Sequence, residues 1–134
     1  NAFIEILTEN DVLITGDTVV LLGDEVLEKP QDRSEAIQML EKLSGNTHTV
    51  ASGIALTTLN TGTKCEVDTC EVEFNSLSRE IIEHYVDTYQ PYDKAGSYGV
   101  QDLIGFVGVK SLNGSFYTVM GLPVHILHNM LSEL

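Results

Sequence analysis

The sequence predicts an α/β fold in a single domain at residues 1–134, with a mixed twisted sheet, long hairpins and flanking helices. Segments with apolar residues at helical spacing alternate with Thr- and Val-rich segments that are separated by turn residues. Hydrophobic residues make up 43% of the 134 residues and charged residues 20%, which is typical of a globular domain with a buried core. Because helices alternate with hairpins, we expect a mixed sheet covered by helices.

The first predicted elements are a strand and a short hairpin. Residues 12–16 form an apolar run typical of a buried strand, which we expect to end at Asp17 and Thr18. Residues 19–27 then predict a hairpin around a glycine-containing turn. Loops beyond strand ends commonly carry the sites of α/β proteins, so the position of Asp17 makes it a candidate site residue.

Three helices are predicted from capping residues and apolar spacing. The first is capped by Asp32, with a glutamate at capping-box spacing, and stops near Gly45. The second is capped by Ser78 and ends before Pro91. Residues 123–134 form the third, with a proline in its first turn.

Two hairpins are predicted from turn residues between β-rich segments. Residues 47–59 and 64–74 are rich in threonine and valine, and the turn between them predicts one long hairpin. An Asn-Gly pair predicts a second hairpin between residues 103–109 and 116–120.

The arm at residues 64–74 contains both cysteines of the chain. If this arm is one strand, Cys65 and Cys70 lie about 16 Å apart, which is too far for a disulfide. Free thiols suit a reducing compartment, so we expect a cytoplasmic protein. The two cysteines fall on opposite parities of the strand, and a β-bulge near Asp68 would bring the apolar residues of both halves to one face.

The charge balance limits the classes of partner. Twenty acidic residues against seven basic ones give a formal net charge of −13, which repels a nucleic-acid backbone. The apolar runs are shorter than a membrane-spanning helix needs. We therefore expect neither a nucleic-acid polymer nor a membrane as partner. An anionic substrate remains compatible with this charge where cations or a bound metal ion are clustered.

Several residues could act on such an anion, and each also has an ordinary structural interpretation. Asp17 could orient a metal ion or a nucleophilic water, or be a turn or capping residue. Lys29, held extended by the following proline, suits a fixed phosphate contact, or is a solvated lysine. The glycine-containing loop at residues 93–101 lets backbone N–H groups approach an anion, or is only a turn. Gln101 could bind a base edge, or cap a neighbouring strand.

The remaining polar residues suggest no other chemistry. The four histidines have no metal-ligand spacing and are interpreted as surface or half-buried side chains: His48, His84, His125 and His128. No glycine-flanked serine nucleophile stands out. The residues alone thus predict an α/β domain with an anion site.

Five blocks of sequence add a resemblance to a known family. They are Gly-Asp-Thr-Val-Val at 16–20, Leu-Glu-Lys-Pro at 27–30, Leu-Ser-Gly-Asn-Thr-His at 43–48, Asp-Lys-Ala-Gly-Ser-Tyr-Gly-Val-Gln at 93–101 and Gly-Leu-Pro at 121–123. In this order and spacing they resemble the Maf family, from about residue 12 to the end of the chain. The resemblance implies a Maf/inosine-triphosphatase-like fold with the substrate cleft at strand ends.

The resemblance also implies an activity and two catalytic residues. Family members hydrolyse nucleoside triphosphates between the α- and β-phosphates, giving monophosphate and diphosphate, with Mg²⁺ or Mn²⁺. By resemblance, Asp17 accepts a proton from the attacking water and neighbours the metal. Lys29, by the same resemblance, holds phosphate oxygens and offsets charge on the leaving group.

Four further positions are matched by the family's substrate-binding residues. Thr18 and Gln101 match positions that help to set base specificity in the subgroup active on dTTP and UTP, so a pyrimidine triphosphate is the expected substrate. Lys94 and Tyr98 belong to the same block as Gln101 and are expected to line the cleft. Asp102 stands where relatives usually have a small residue, and an extra carboxylate there could alter substrate choice. Ile104 departs from the family pattern in the same way.

One family feature has no match in this chain. The family's Ser-x-Ser-x-x-Arg loop is not found in residues 1–11, so we expect the domain to be N-terminally incomplete and the 134-residue chain to be inactive by itself. The main alternative is a non-catalytic nucleotide-binding or regulatory remnant of the same fold. A weaker alternative is an interaction module that pairs through the long hairpin. A homodimer is compatible with the sequence.

Overall fold

The computed structural model describes residues 6–134, which form a five-stranded sheet and five α-helices. The strands are β1 (Leu13–Leu22), β2 (Glu25–Leu27), β3 (Thr47–Thr58), β4 (Gly62–Phe74) and β5 (Val109–Asn113). The helices are α1 (Arg33–Leu43), α2 (Arg79–Tyr89), α3 (Leu103–Gly108), α4 (Phe116–Met120) and α5 (Val124–Ser132), with a 3₁₀ turn at Ala95–Ser97. None of these helices is both long and apolar enough to cross a bilayer. We expected residues 1–11 to lack the family's N-terminal loop. For residues 1–5 this expectation lies outside the described residues.

The α/β class, the long hairpin and the flanking helices are confirmed, but the pairing within the sheet differs from the prediction. The strand order is β2-β1-β3-β4-β5, and each neighbouring pair is antiparallel. A mixed sheet was predicted because helices alternate with hairpins along the chain, and in the structure α1 does connect two strands that run in the same direction. Those strands, β2 and β3, lie on opposite sides of β1, so the crossover through α1 brings no parallel pair together in the described sheet.

The predicted end of the first strand is wrong. β1 continues through Asp17 and Thr18, because β3 offers it an unbroken antiparallel partner from Leu13 opposite Thr57 to Leu21 opposite Thr49. The backbone groups on one edge are therefore paired along the whole strand. Asp17 and Thr18 lie within a strand rather than in the loop beyond it.

The predicted capping of the first two helices agrees with the structure. The Asp32 carboxylate accepts a hydrogen bond of 2.8 Å from the backbone N–H of Glu35 at the start of α1. The Ser78 hydroxyl accepts one of 3.2 Å from the backbone N–H of Ile81 at the start of α2. Each bond satisfies an amide that has no partner within its helix.

The core lies on one face of the sheet, between the strands and the helices. Strand residues of one parity are buried there against the inner faces of α1 and α2. Its largest fully buried hydrophobic side chains are Tyr85, Phe74, Leu40, Leu43, Ile82 and Ile104. A smaller cluster joins Ile54 and Leu56 of β3 to Met130 of α5.

The β-bulge predicted near Asp68 is absent from the described pairing of β3 with β4. The register runs without interruption from Thr47 opposite Glu73 to Thr58 opposite Gly62. The first half of β4 instead leaves its apolar residues on the outer face, where Val67 is 65% exposed. The apolar residues of β4 change parity because its two halves have different surroundings.

The second predicted hairpin is wrong. Its arms are the helices α3 and α4, and the strand between them, β5, pairs with β4 instead. Gly114 has φ of +137°, and a Cβ built on it would lie 2.9 Å from Cβ of Cys70, so the glycine serves a close approach to β4. The chain then enters α4, whose first turn is capped by Ser115.

Candidate active site

A cavity of about 430 Å³ lies between β1, β3, the segment after β2, the 3₁₀ turn and the end of α4. Its strand residues lie within β1 and β3 rather than at strand ends, and Lys29 comes two residues after the end of β2. All six residues predicted for the site line this cavity: Asp17, Thr18, Lys29, Lys94, Tyr98 and Gln101. The structure thus brings together residues separated by up to 84 positions, and their individual roles stay predictions.

Asp17 borders the cavity because β1 loses its second neighbour at this point. β2 pairs with β1 only between Val20 and Leu22, so the edge of β1 at Asp17 and Thr18 is free of β2. The backbone N–H of Thr18 donates a hydrogen bond of 2.9 Å to Oδ1 of Asp17. Oδ2 makes no hydrogen bond to the described part of the chain, which leaves it available to a water molecule or a cation.

Two lysines supply the positive charge of the cavity. Lys29 follows β2, is exposed and forms no ion pair with the residues described. Lys94 is half-buried, and its Nζ lies 3.5 Å from Oδ1 of Asp93, which also lines the cavity. Two aspartates, Asp17 and Asp93, line the same cavity, so its formal charge is near zero while that of the chain is −13, and an anion meets less repulsion in the cavity than elsewhere on the surface.

Gly99 allows the loop at residues 93–101 to close around the site. A Cβ on Gly99 would lie 2.9 Å from Cε of Lys94 and 3.2 Å from Cδ of Gln101. Any other residue would therefore push apart two of the side chains that line the cavity. Its backbone N–H donates a bond of 3.1 Å to the hydroxyl of Tyr85, which ties the loop to α2.

Tyr98 is anchored inward by its hydroxyl. That hydroxyl lies 2.6 Å from Nε2 of His48, and both side chains are buried, Tyr98 at 6% and His48 at 1% exposure. Burial raises the pKa of the Tyr98 phenol above its usual range and lowers that of His48 to about 4. His48 was predicted at the surface or half-buried, and its complete burial is a correction. With its hydroxyl engaged in the core, Tyr98 braces the loop at residues 93–101.

The two positions that depart from the family pattern point away from the cavity lining. The Asp102 carboxylate accepts a hydrogen bond of 3.0 Å from the hydroxyl of Tyr85. Ile104 is fully buried in the core. Burial, together with the neighbouring Asp102, raises the pKa of the Tyr85 phenol above its usual range, so Tyr85 remains a donor. The structure thus gives Asp102 a partner of its own beside Gln101.

Two hydroxyl groups behind the site, those of Ser52 and Thr118, had no signal in the sequence. Ser52 of β3 lies opposite Thr18 and is fully buried. Its Oγ is 2.8 Å from Oγ1 of Thr18 and donates a bond of 2.7 Å to the carbonyl of Thr118. Thr118, at 0% exposure, directly precedes residues 119–122, which line this side of the cavity. Only the Gly-Leu-Pro block at 121–123 had marked this region in the sequence.

The carboxylates of the cavity fit one mode of metal binding. The described residues contain no group of three or more His, Cys, Asp or Glu side chains that could hold a metal ion alone. Mg²⁺, however, is usually held by one or two carboxylates together with substrate phosphates and waters. Asp17 and Asp93 both border the cavity, so the donor set fits a metal ion that binds together with a triphosphate.

Relatives of known name match almost all of the chain. A dTTP/UTP pyrophosphatase of Bacteroides thetaiotaomicron is 48% identical over 134 residues, which are 100% of this chain and 69% of the relative. One of Porphyromonas gingivalis is 46% identical over 127 residues, covering 95% of this chain and 63% of the relative. One of Bacteroides fragilis is 47% identical over 133 residues, covering 99% of this chain and 68% of the relative. The chain thus spans about two thirds of the length of these relatives.

The names of these relatives agree with the activity predicted from the sequence, a nucleotide pyrophosphatase. The model of the family described as Maf-like protein matches residues 1–134, which include the five blocks on which the resemblance rested. Three of these blocks, at 16–20, 27–30 and 93–101, contain the six predicted side chains that line the cavity. With the family model matched from end to end and identities near one half, the chain belongs to the Maf family.

Proposed function

We propose that the protein hydrolyses a nucleoside triphosphate, with dTTP and UTP preferred, to nucleoside monophosphate and diphosphate. The observation that carries this proposal is the gathering of Asp17, Lys29, Lys94 and Gln101 around one cavity, in a chain that matches dTTP/UTP pyrophosphatases. Its volume of about 430 Å³ is within the usual range of small-molecule sites.

Asp17 acts as the general base. Its Oδ1 is held by the backbone N–H of Thr18, which fixes the carboxylate at the edge of β1. Oδ2 is then free to accept a proton from the water that attacks the α-phosphorus. The strand supports this function, because a carboxylate on a paired strand is positioned more rigidly than one on a loop.

Lys29 and Lys94 neutralise the charge of the triphosphate. The diphosphate leaving group gains negative charge as the bond to the α-phosphorus breaks, and a fixed ammonium group beside it stabilises that charge. Lys29, which has no carboxylate partner in the described residues, is the better placed of the two for this function. Asp17 would hold Mg²⁺ or Mn²⁺ together with the phosphates, and the ion would supply further charge neutralisation.

The test is turnover by an Asp17→Asn variant of the natural protein that contains these residues. Diphosphate release is measured with UTP, dTTP, GTP and ATP in the presence of Mg²⁺. The substitution should lower kcat by roughly 10²-fold or more, as for loss of a general base, with an unchanged unfolding temperature. Asp24→Asn, at an exposed position in the β1–β2 turn, is the matched control and should keep full activity.

Three outcomes would change the proposal. Near-normal turnover by the Asp17→Asn variant removes this carboxylate from the mechanism. A preference for purine triphosphates overturns the pyrimidine assignment. Tight nucleotide binding without turnover in the unsubstituted protein supports the alternative of a non-catalytic nucleotide-binding protein.

Two further parts of the proposal concern the state of the protein in the cell. Cys65 is exposed and Cys70 buried, and both are free thiols, which suits a reducing cytoplasm. A homodimer is compatible with the sequence, and sedimentation of the purified protein measures it directly.

A further inference from the structure

A row of polar side chains runs from the cavity across the sheet, through the buried Ser52. Thr18, Ser52 and Asp68 lie opposite one another on β1, β3 and β4. Thr118 of α4 covers them, with its hydroxyl donating a bond of 2.6 Å to Oδ2 of Asp68. His125 of α5 also approaches Oδ2 of Asp68, at 3.4 Å. The row therefore connects three strands and two helices behind one wall of the cavity.

The direction of the hydrogen bonds in this row is fixed by one backbone carbonyl. Ser52 donates its only hydroxyl proton to the carbonyl oxygen of Thr118, which can only accept. The bond of 2.8 Å between Ser52 and Thr18 must then be donated by Thr18. Ser52 and Thr118 are both at 0% exposure, so water does not compete for these bonds.

Thr18 therefore offers only lone pairs to the cavity that it lines. Phosphate oxygens at neutral pH are acceptors, so they gain no hydrogen bond from this oxygen. A ligand group that contacts it must be a donor. In dTTP and UTP, the nucleotides in the relatives' names, the donors common to both are the 3′-hydroxyl and the ring N–H of thymine and uracil, and of these only the ring N–H distinguishes one pyrimidine from another. Cytosine has an unprotonated acceptor nitrogen at that ring position, and its approach would set two acceptors against each other.

We propose that Ser52 is a positioning residue that fixes the Thr18 hydroxyl as an acceptor and thereby makes the site select uracil and thymine nucleotides over cytosine nucleotides. The inference deepens the proposed function and rests on it for the class of ligand. Ser52 touches no substrate, since it lies behind Thr18 and is fully buried. It acts on selectivity because it holds the Thr18 hydroxyl proton away from the cavity.

The test compares binding of UMP and CMP by calorimetry, which needs no turnover, with kcat/KM for UTP and CTP measured alongside. The unsubstituted protein should bind UMP at least about tenfold more tightly than CMP. Ser52→Ala frees the proton of Thr18, which can then turn toward the ligand, so the preference should fall about tenfold toward equal binding. Ser52→Cys, whose thiol donates and accepts only weakly, should show a partial loss if the alanine variant folds poorly.

Thr57→Val is the matched control. Thr57 lies on the same strand and is only 7% exposed. Its hydroxyl forms a hydrogen bond of 2.8 Å with that of Thr63, between β3 and β4. This variant loses a comparable buried hydroxyl away from the cavity and should keep the preference for UMP. If Ser52→Ala and Thr57→Val lower the unfolding temperature alike but only Ser52→Ala changes selectivity, the effect on selectivity comes from positioning of Thr18 and not from lower stability.

The outcomes distinguish this inference from the proposed function. Selective binding of UMP that disappears in Ser52→Ala, in a protein that releases no diphosphate, supports the inference and overturns the proposed activity. Equal binding of UMP and CMP by the unsubstituted protein, or binding of neither, overturns the inference. A folded Ser52→Ala variant with unchanged selectivity does the same.

Discussion

His48 should make the protein lose stability in mild acid. Its ring is 1% exposed, Nε2 is bonded to the hydroxyl of Tyr98, and Nδ1 has no hydrogen-bond partner among the described residues. Protonation would place a positive charge in the core. Both ring nitrogens would then carry a proton, and the proton on Nδ1 would have no acceptor among the described residues. Burial accordingly lowers the pKa of His48 in the folded state to about 4, from 6.5 in the unfolded chain.

The size and sign of the effect follow from these two pKa values. Between pH 6.5 and pH 4 the unfolded chain binds a proton at His48 and the folded chain does not, so acid favours unfolding. The stabilisation is fully present above pH 6.5 and is lost as the pH falls. A difference of 6.5 − 4 = 2.5 pKa units corresponds to about 3 kcal/mol of unfolding free energy.

The assay is urea unfolding at a series of pH values from 7 to 4, with His48→Gln as the variant that cannot titrate. The unsubstituted protein should lose about 3 kcal/mol more than this variant across the series. His128→Gln, at an exposed position of α5, controls for loss of a histidine and should follow the unsubstituted protein. Parallel pH profiles for His48→Gln and the unsubstituted protein would refute the reasoning. If His48→Gln does not fold, the NMR titration of the His48 ring protons measures the same pKa.

Two further predictions concern the cavity. Gly99→Ala should lower kcat/KM for UTP at least about tenfold with little change in unfolding temperature, because its Cβ would stand 2.9 Å from Cε of Lys94 and from Oδ2 of Asp102 and displace these side chains; activity close to that of the unsubstituted protein would show that the two side chains adjust freely. Lys29→Gln should lower kcat/KM by roughly 10²-fold and weaken its dependence on salt, since a fixed cation beside the leaving group is lost; an unchanged salt dependence would place Lys29 outside the phosphate site.

The local features of the fold could be predicted from the sequence. The capping bonds of Asp32 and Ser78 join residues three positions apart, and the turn of the long hairpin is formed by adjacent residues. Such signals do not depend on distant parts of the chain, so they were recognised correctly. The family's blocks also named the six candidate residues from their order and spacing; all six line one cavity, and their roles stay predictions.

Contacts between distant segments decided the rest. β1 continues through Asp17 and Thr18 because β3, more than thirty residues later, pairs with it. Gly114 approaches Cys70 instead of closing a hairpin, because β5 finds its partner in β4. Ser52 had no signal in the sequence, since a serine in a strand acquires a directed hydroxyl only when another backbone carbonyl is packed against it. Side-chain patterns determine which segments form helices and strands, whereas the pairing partner determines where a strand ends and which way a proton points.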